Sequence, residues 1–121
     1  MKMYICILDE FPDYMSPTLV AHTVLGAHLE FSKKHDDEYW RTNEPYYPKY
    51  HDWLENSFKK VTVKVNQKEF DKICALQDVY VGHEKNTLDG RDSCVVVCPR
   101  DEIPNVLKFA KLWSPENEIS T

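Results

Sequence analysis

Met15-Ser16-Pro17-Thr18-Leu19-Val20-Ala21-His22-Thr23-Val24-Leu25-Gly26-Ala27 follows closely on the apolar run Met3–Leu8, and that succession decides the fold. Ser16 is suited to cap the helix by accepting from an orphan backbone N–H. Pro17 suits the first helical position, where its missing donor costs nothing. Leu19, Thr23, Gly26 and Ala27 recur at intervals of three and four, as do Val20, Val24 and Phe31. The stretch therefore reads as a helix from Ser16 to about Lys34, burying a small-residue face that bears His22. A strand ending over a helix start is where small α/β domains place a site. This places a site without naming its chemistry.

Further along, Lys60–Val65 alternates Lys-Val-Thr-Val-Lys-Val, the period of a half-buried strand with β-branched filling. Asn66 is placed to cap a helix over Gln67–Leu76, whose Phe70, Ile73, Cys74 and Leu76 form an apolar stripe. Val79–Val81 reads as a short strand ended by Gly82, His83–Asp92 as a polar loop, and Cys94–Cys98 as an apolar strand closed by Pro99. Asp101–Leu112 reads as a last helix with Pro104 near its start. Between the first helix and the second strand, Tyr39 to Trp53 is rich in aromatics, with Pro45 and Pro48 interrupting any long helix. A loop and a short helix around Tyr50–Asn56 fit there. Its aromatics suit either packing onto the domain or a stacking surface for bases. The expected architecture is α/β: three α-β-α layers around a mixed four-stranded sheet, Met3–Leu8 central, and Val79–Val81 paired with Cys94–Cys98 as an antiparallel hairpin.

The chain has 121 residues, 42% hydrophobic and 29% charged, the mixture of one globular domain rather than a disordered segment. Residues 1–113 are expected to form that domain and 114–121 a flexible tail. No apolar run approaches the ~20 residues of a membrane span, and no signal-peptide pattern opens the chain. The expectation is a cytoplasmic protein with no membrane partner. Its four cysteines match no zinc spacing, contain no C-x-x-C and are expected to be buried, unreactive thiols. Neither a metal nor a cofactor is expected. A formal net charge of −5 argues weakly against nucleic acid, but folding can gather the scattered Lys and Arg on one side.

Three stretches carry a family resemblance. Leu19 through Ala27 resembles the Gln-x-x-His-Ala stretch on the first helix of the type II peptidyl-tRNA hydrolases, with Leu19 where the glutamine stands. Trp53 followed by Lys60–Val65 resembles that family's tryptophan and second strand. Ser93-Cys94-Val95-Val96-Val97-Cys98-Pro99, with the later Lys111-Leu112-Trp113, resembles its Thr-Val-Leu-x-Ile-Gly-Pro strand and Leu-Lys-Leu end. The resemblance spans about residues 3–113 and implies that family's fold, cleavage of the ester at the 3′ end of peptidyl-tRNA, and dimers in some members. His22, Thr87 and Ser93 fall on family positions. The family's lysine does not, since Met15 stands there. Its aspartate does not either, because His83 opens the run His83-Glu84-Lys85-Asn86-Thr87 that resembles Asp-x-Gly-x-Thr.

The candidate site set is therefore His22, His83, Thr87 and Ser93 for chemistry, with Lys85 and Arg91 as substrate-binding cations. Ester cleavage needs an activated water and a donor for the oxyanion. A neutral imidazole suits base work, its unperturbed pKa being about 6.5, so His83 is expected to replace the carboxylate as base. Two other readings stand beside this one. In the first, the scaffold lacks catalysis and binds an RNA end, a nucleotide or a protein. In the second, the acidic groups Asp36, Asp37, Glu38, Glu44, Asp52 and Glu55 share a face and make an interaction module or inhibitor.

Overall fold

Met3, Ile5 and Ile7 alternate with Cys6 and Leu8 along the first strand, and both sets are buried. A strand covered on both faces reads as a continuous apolar run, and this one sits inside its sheet. The computed structural model describes residues 1–32, 47–84 and 90–115, with the side chains of 47, 48, 83 and 84 outside the described atoms. Its strands are β1 (Lys2–Leu8), β2 (Lys59–Val65), β3 (Val79–Glu84), β4 (Arg91–Arg100) and β5 (Lys111–Leu112), in the order β3-β4-β1-β2-β5. β1 runs parallel to β2, and the other neighbouring pairs are antiparallel. The helices are α1 (Ser16–Phe31), α2 (Tyr47–Asp52), α3 (Gln67–Cys74) and α4 (Asn105–Lys108).

Two apolar cores lie on opposite faces of this sheet. Met3, Ile5, Ile7, Cys94, Val96 and Cys98 meet Ala27 and Phe31 of α1, Tyr50 of α2 and Trp53. Cys6, Leu8, Val63, Val65, Val95 and Val97 meet Phe70 and Ile73 of α3 and Leu107 of α4. The α-β-α layering, the central β1 and the β3–β4 hairpin agree with the sequence. Of the aromatic stretch, Tyr50 and Trp53 are packing residues, each only 2% exposed. The Trp53 indole donates to the Lys59 carbonyl at 2.8 Å, which ties the π-helical turn Trp53–Ser57 to the start of β2. Residues 39–46 lie outside the described residues.

Among the described residues the sheet has five strands rather than four, and the difference comes from the expected last helix. Pro104 precedes its first residue, and the helix makes only one turn before the chain turns back. Leu112 and Lys111 then pair with Val63 and Lys64 at the open edge of β2, and the Trp113 N–H donates to the Thr62 carbonyl at 3.0 Å. An unpaired strand edge is a stronger claim on these backbone groups than a short helix with little to bury. The hairpin strands are also longer than expected, because Gly82 does not end β3. Pro99 lies within β4 where the register with β1 slips, a bulge that accommodates a residue with no N–H to donate. The three cysteines in strands are buried and Cys74 is half-buried, all with free thiols. No helix among the described residues is long and apolar enough to cross a membrane. At the end of the described chain, the Ser114 carbonyl accepts from the Lys64 ammonium at 2.9 Å, and residues 116–121 lie outside the described residues.

Candidate functional site

The carboxyl ends of β1 and β2 meet where the Asp9 N–H donates to the Val65 carbonyl at 2.8 Å. From there the chain passes Phe11 and makes a 3-10 turn over Asp13–Met15 that runs straight into α1. Ser16 is therefore not the N-cap. Met15 holds that place with helical dihedrals, Ser16 is already helical and buried, and no side chain caps the helix. The preceding turn supplies the helical conformation that a cap would otherwise have to start. Pro17 keeps its place in the first turn.

α1 lies across the β3–β4 hairpin. Its contact is made by Thr23, fully buried, whose hydroxyl donates to the Leu19 carbonyl at 2.8 Å. A Cβ on Gly82 would collide with the Thr23 side chain, and one on Gly26 would collide with the Tyr80 ring. Each glycine thus permits a close approach of helix and strand, which explains why β3 passes through Gly82 without ending. His22, next to Thr23, is exposed rather than buried beneath the sheet. The helix turns it about 100° away from the face that Thr23 buries.

The register of β3 and β4 slips at this same place. Gly82 pairs with Cys94 and His83 with Asp92, which leaves Ser93 as the extra residue of a bulge in β4. Bulges of this kind recur beside functional sites, where they re-aim side chains. Ser93 is only 1% exposed, and its hydroxyl donates to the Gly82 carbonyl at 3.4 Å. It props the bulge instead of facing a substrate. The main chain thus brings His83, which follows Gly82, to the flank of α1 where Thr23 adjoins His22. The His83 side chain, Lys85 and Thr87 lie outside the described residues.

Charges at this end of the sheet come in pairs. Arg91, the expected substrate cation, donates to the Glu10 carboxylate at 2.7 Å and stands 5.0 Å over the Phe11 ring. Lys64 was not singled out in the sequence, yet its ammonium reaches Asp13 at 3.2 Å as well as the Ser114 carbonyl. Its side chain is 15% exposed, so this bond ties β2 to the turn that opens α1. The signal was present: Lys60, Thr62 and Lys64 share one face of the strand, and parallel pairing puts Lys64 beside Ile7 on the α1 side. Acidic residues in the connection, Asp9, Glu10 and Asp13, were equally visible. Among the described residues no three potential metal ligands converge. No protein-family model matches the chain, and no curated protein matches its sequence.

Proposed function

We propose that this chain is a peptidyl-tRNA hydrolase-like protein that engages the ester-linked 3′ end of peptidyl-tRNA, as a binder first and at most a slow hydrolase. The observation that carries the reading is the convergence at one end of the sheet. The exposed His22 on α1, the Gly82–Thr23 contact that brings the main chain of His83 alongside, and the Ser93 bulge stand together. The α-β-α layering around a central β1 is consistent with the family resemblance.

The weighting toward binding has its own support. His22 has no hydrogen-bond partner among the described residues, and a general base works best when another group orients it. The Ser93 hydroxyl is enclosed. Met15 packs against the core, so the family's cation is missing at that position. Loss of one donor to the developing charge typically costs about 10²–10³ in rate. Lys64 and Arg91 are held by Asp13 and Glu10, which leaves them little surplus charge for a substrate.

The deciding experiment incubates the purified chain with peptidyl-tRNA and follows both ester cleavage and binding of the 3′ end. Binding retained with weak or absent turnover is expected, and His22→Ala should weaken that binding. If turnover is detected, His83→Ala should abolish it. Rapid turnover unaffected by His22→Ala and His83→Ala would place the chemistry elsewhere. Absence of both binding and turnover would refute the proposal.

A further inference from the structure

On the sheet face opposite α1, an open groove of about 510 Å³ runs between α3 and α4. Its walls include Lys68, Glu69 and Lys72 of α3, Asn66 at the head of that helix, and Val106 and Phe109 on the α4 side. Lys68 and Lys72 are exposed, stand four residues apart on one helix face, and form no ion pair with another described residue. Glu69 keeps its charge and leaves the lining with one net positive charge, but it is held in place at the head of the helix. Its carboxylate accepts from the Asn66 N–H at 2.9 Å, while the Asn66 side chain accepts from the Glu69 N–H at 2.8 Å. Phe109 is 92% exposed, with the exposed Lys108 before it and Lys111 beyond.

We infer that this groove binds single-stranded nucleic acid, with the Phe109 ring as a stacking platform for a base and Lys68 and Lys72 as phosphate contacts. Aromatic faces interleaved with cations are what unpaired strands require, because every base has a π-face and every linkage a charge. An acidic peptide would satisfy the two ammonium groups but would leave a nearly fully exposed phenyl ring unexplained. The acidic balance of the whole chain is not an obstacle. At about 0.1 M salt, charges beyond ~10 Å are largely screened, and the groove's own lining sets two lysines against the single Glu69. The inference stands apart from the hydrolase reading, since it concerns the other face of the sheet and needs no ester.

The test uses the full chain and dye-labelled single strands of RNA and of DNA, about twelve nucleotides long, within the usual site sizes. Neither strand carries an acyl group. Saturable binding of at least one strand is expected by fluorescence anisotropy, and the stronger of the two identifies the sugar. Phe109→Ala should weaken it about fivefold or more, whereas Phe109→Trp should retain it. The double variant Lys68→Ala/Lys72→Ala should reduce the slope of log K against log salt by about 1.4, at ~0.7 per phosphate contact. All these side chains are exposed, so circular dichroism should be unchanged. No saturable binding, binding indifferent to these substitutions, or displacement by polyglutamate at equal charge would overturn the inference.

Discussion

Gly82 and Thr23 show how much one missing side chain decides. The strand can approach the helix only because Gly82 has no Cβ, and Thr23 fills the space. Gly82→Ala is expected to destabilise the fold by about 1–3 kcal/mol, the usual cost of overpacking. Thr23→Ala in the same chain should recover part of that loss, although it leaves its own small cavity. A urea-denaturation double-mutant cycle measures this coupling, and strictly additive effects would contradict the contact. The thiols make a second residue-scale prediction. Burial pushes the Cys74 thiol from 9.0 up to about 11 and the Cys94 thiol up to about 12, and it raises Cys6 and Cys98 as well. The folded chain therefore keeps protons that the unfolded chain releases above pH 9. The stabilisation from neutral thiols is complete below about pH 9 and is lost as pH rises toward 11–12. Equilibrium unfolding across that range should show the fall, and Cys74→Ala with Cys94→Ala should make it smaller, the remainder coming from Cys6 and Cys98.

Two helix starts contrast at the scale of elements. α3 opens with a complete capping box, Asn66 and Glu69 exchanging side-chain and backbone hydrogen bonds. Asn66→Ala should therefore cost about 1 kcal/mol, measured as a shift in the denaturation midpoint at constant slope. α1 has no side-chain cap, so Ser16→Ala should act through the loss of a buried residue and not through the helix terminus. The one-turn α4 and the two-residue β5 complete the contrast. This segment has too little to bury as a long helix, and its end, Lys111 and Leu112, finds ladder partners on β2 instead.

The molecule as a whole is built on β1, whose alternate side chains feed both cores. Neither layer of helices can leave without exposing one face of that strand. Unfolding is expected to be a single cooperative transition, with tryptophan fluorescence and far-ultraviolet circular dichroism coinciding at every denaturant concentration. Of the chain's three tryptophans, Trp53 reports the core beneath α1, while the dichroism reports all helices and strands. Separated transitions would show that the two layers are independent. The charge distribution also belongs to this scale. Partners hold Arg91 and Lys64 at the α1 entrance, while Lys68 and Lys72 remain without ion pairs among the described residues on the far face.

The sequence by itself determined the elements whose patterns are local. The apolar run of β1, the alternation of β2, the stripe and cap of α3 and the periodicity of α1 are each legible in a few consecutive residues. So was the α/β class, since such elements bury their apolar faces only in layers. Tertiary structure alone decided what depends on a distant neighbour. The continuation of β3 through Gly82 depends on Thr23, the pairing of Lys111 and Leu112 depends on the open edge of β2, and the exposure of His22 depends on which face α1 sets against the hairpin. The roles of Ser93 and Arg91 were out of reach for the same reason, and for Lys64 the sequence showed the strand face and the nearby acids but not which acid it meets. A bulge, an ion pair with Glu10 and a bridge to Asp13 are made by residues 11 to 81 positions apart, and no local periodicity encodes them.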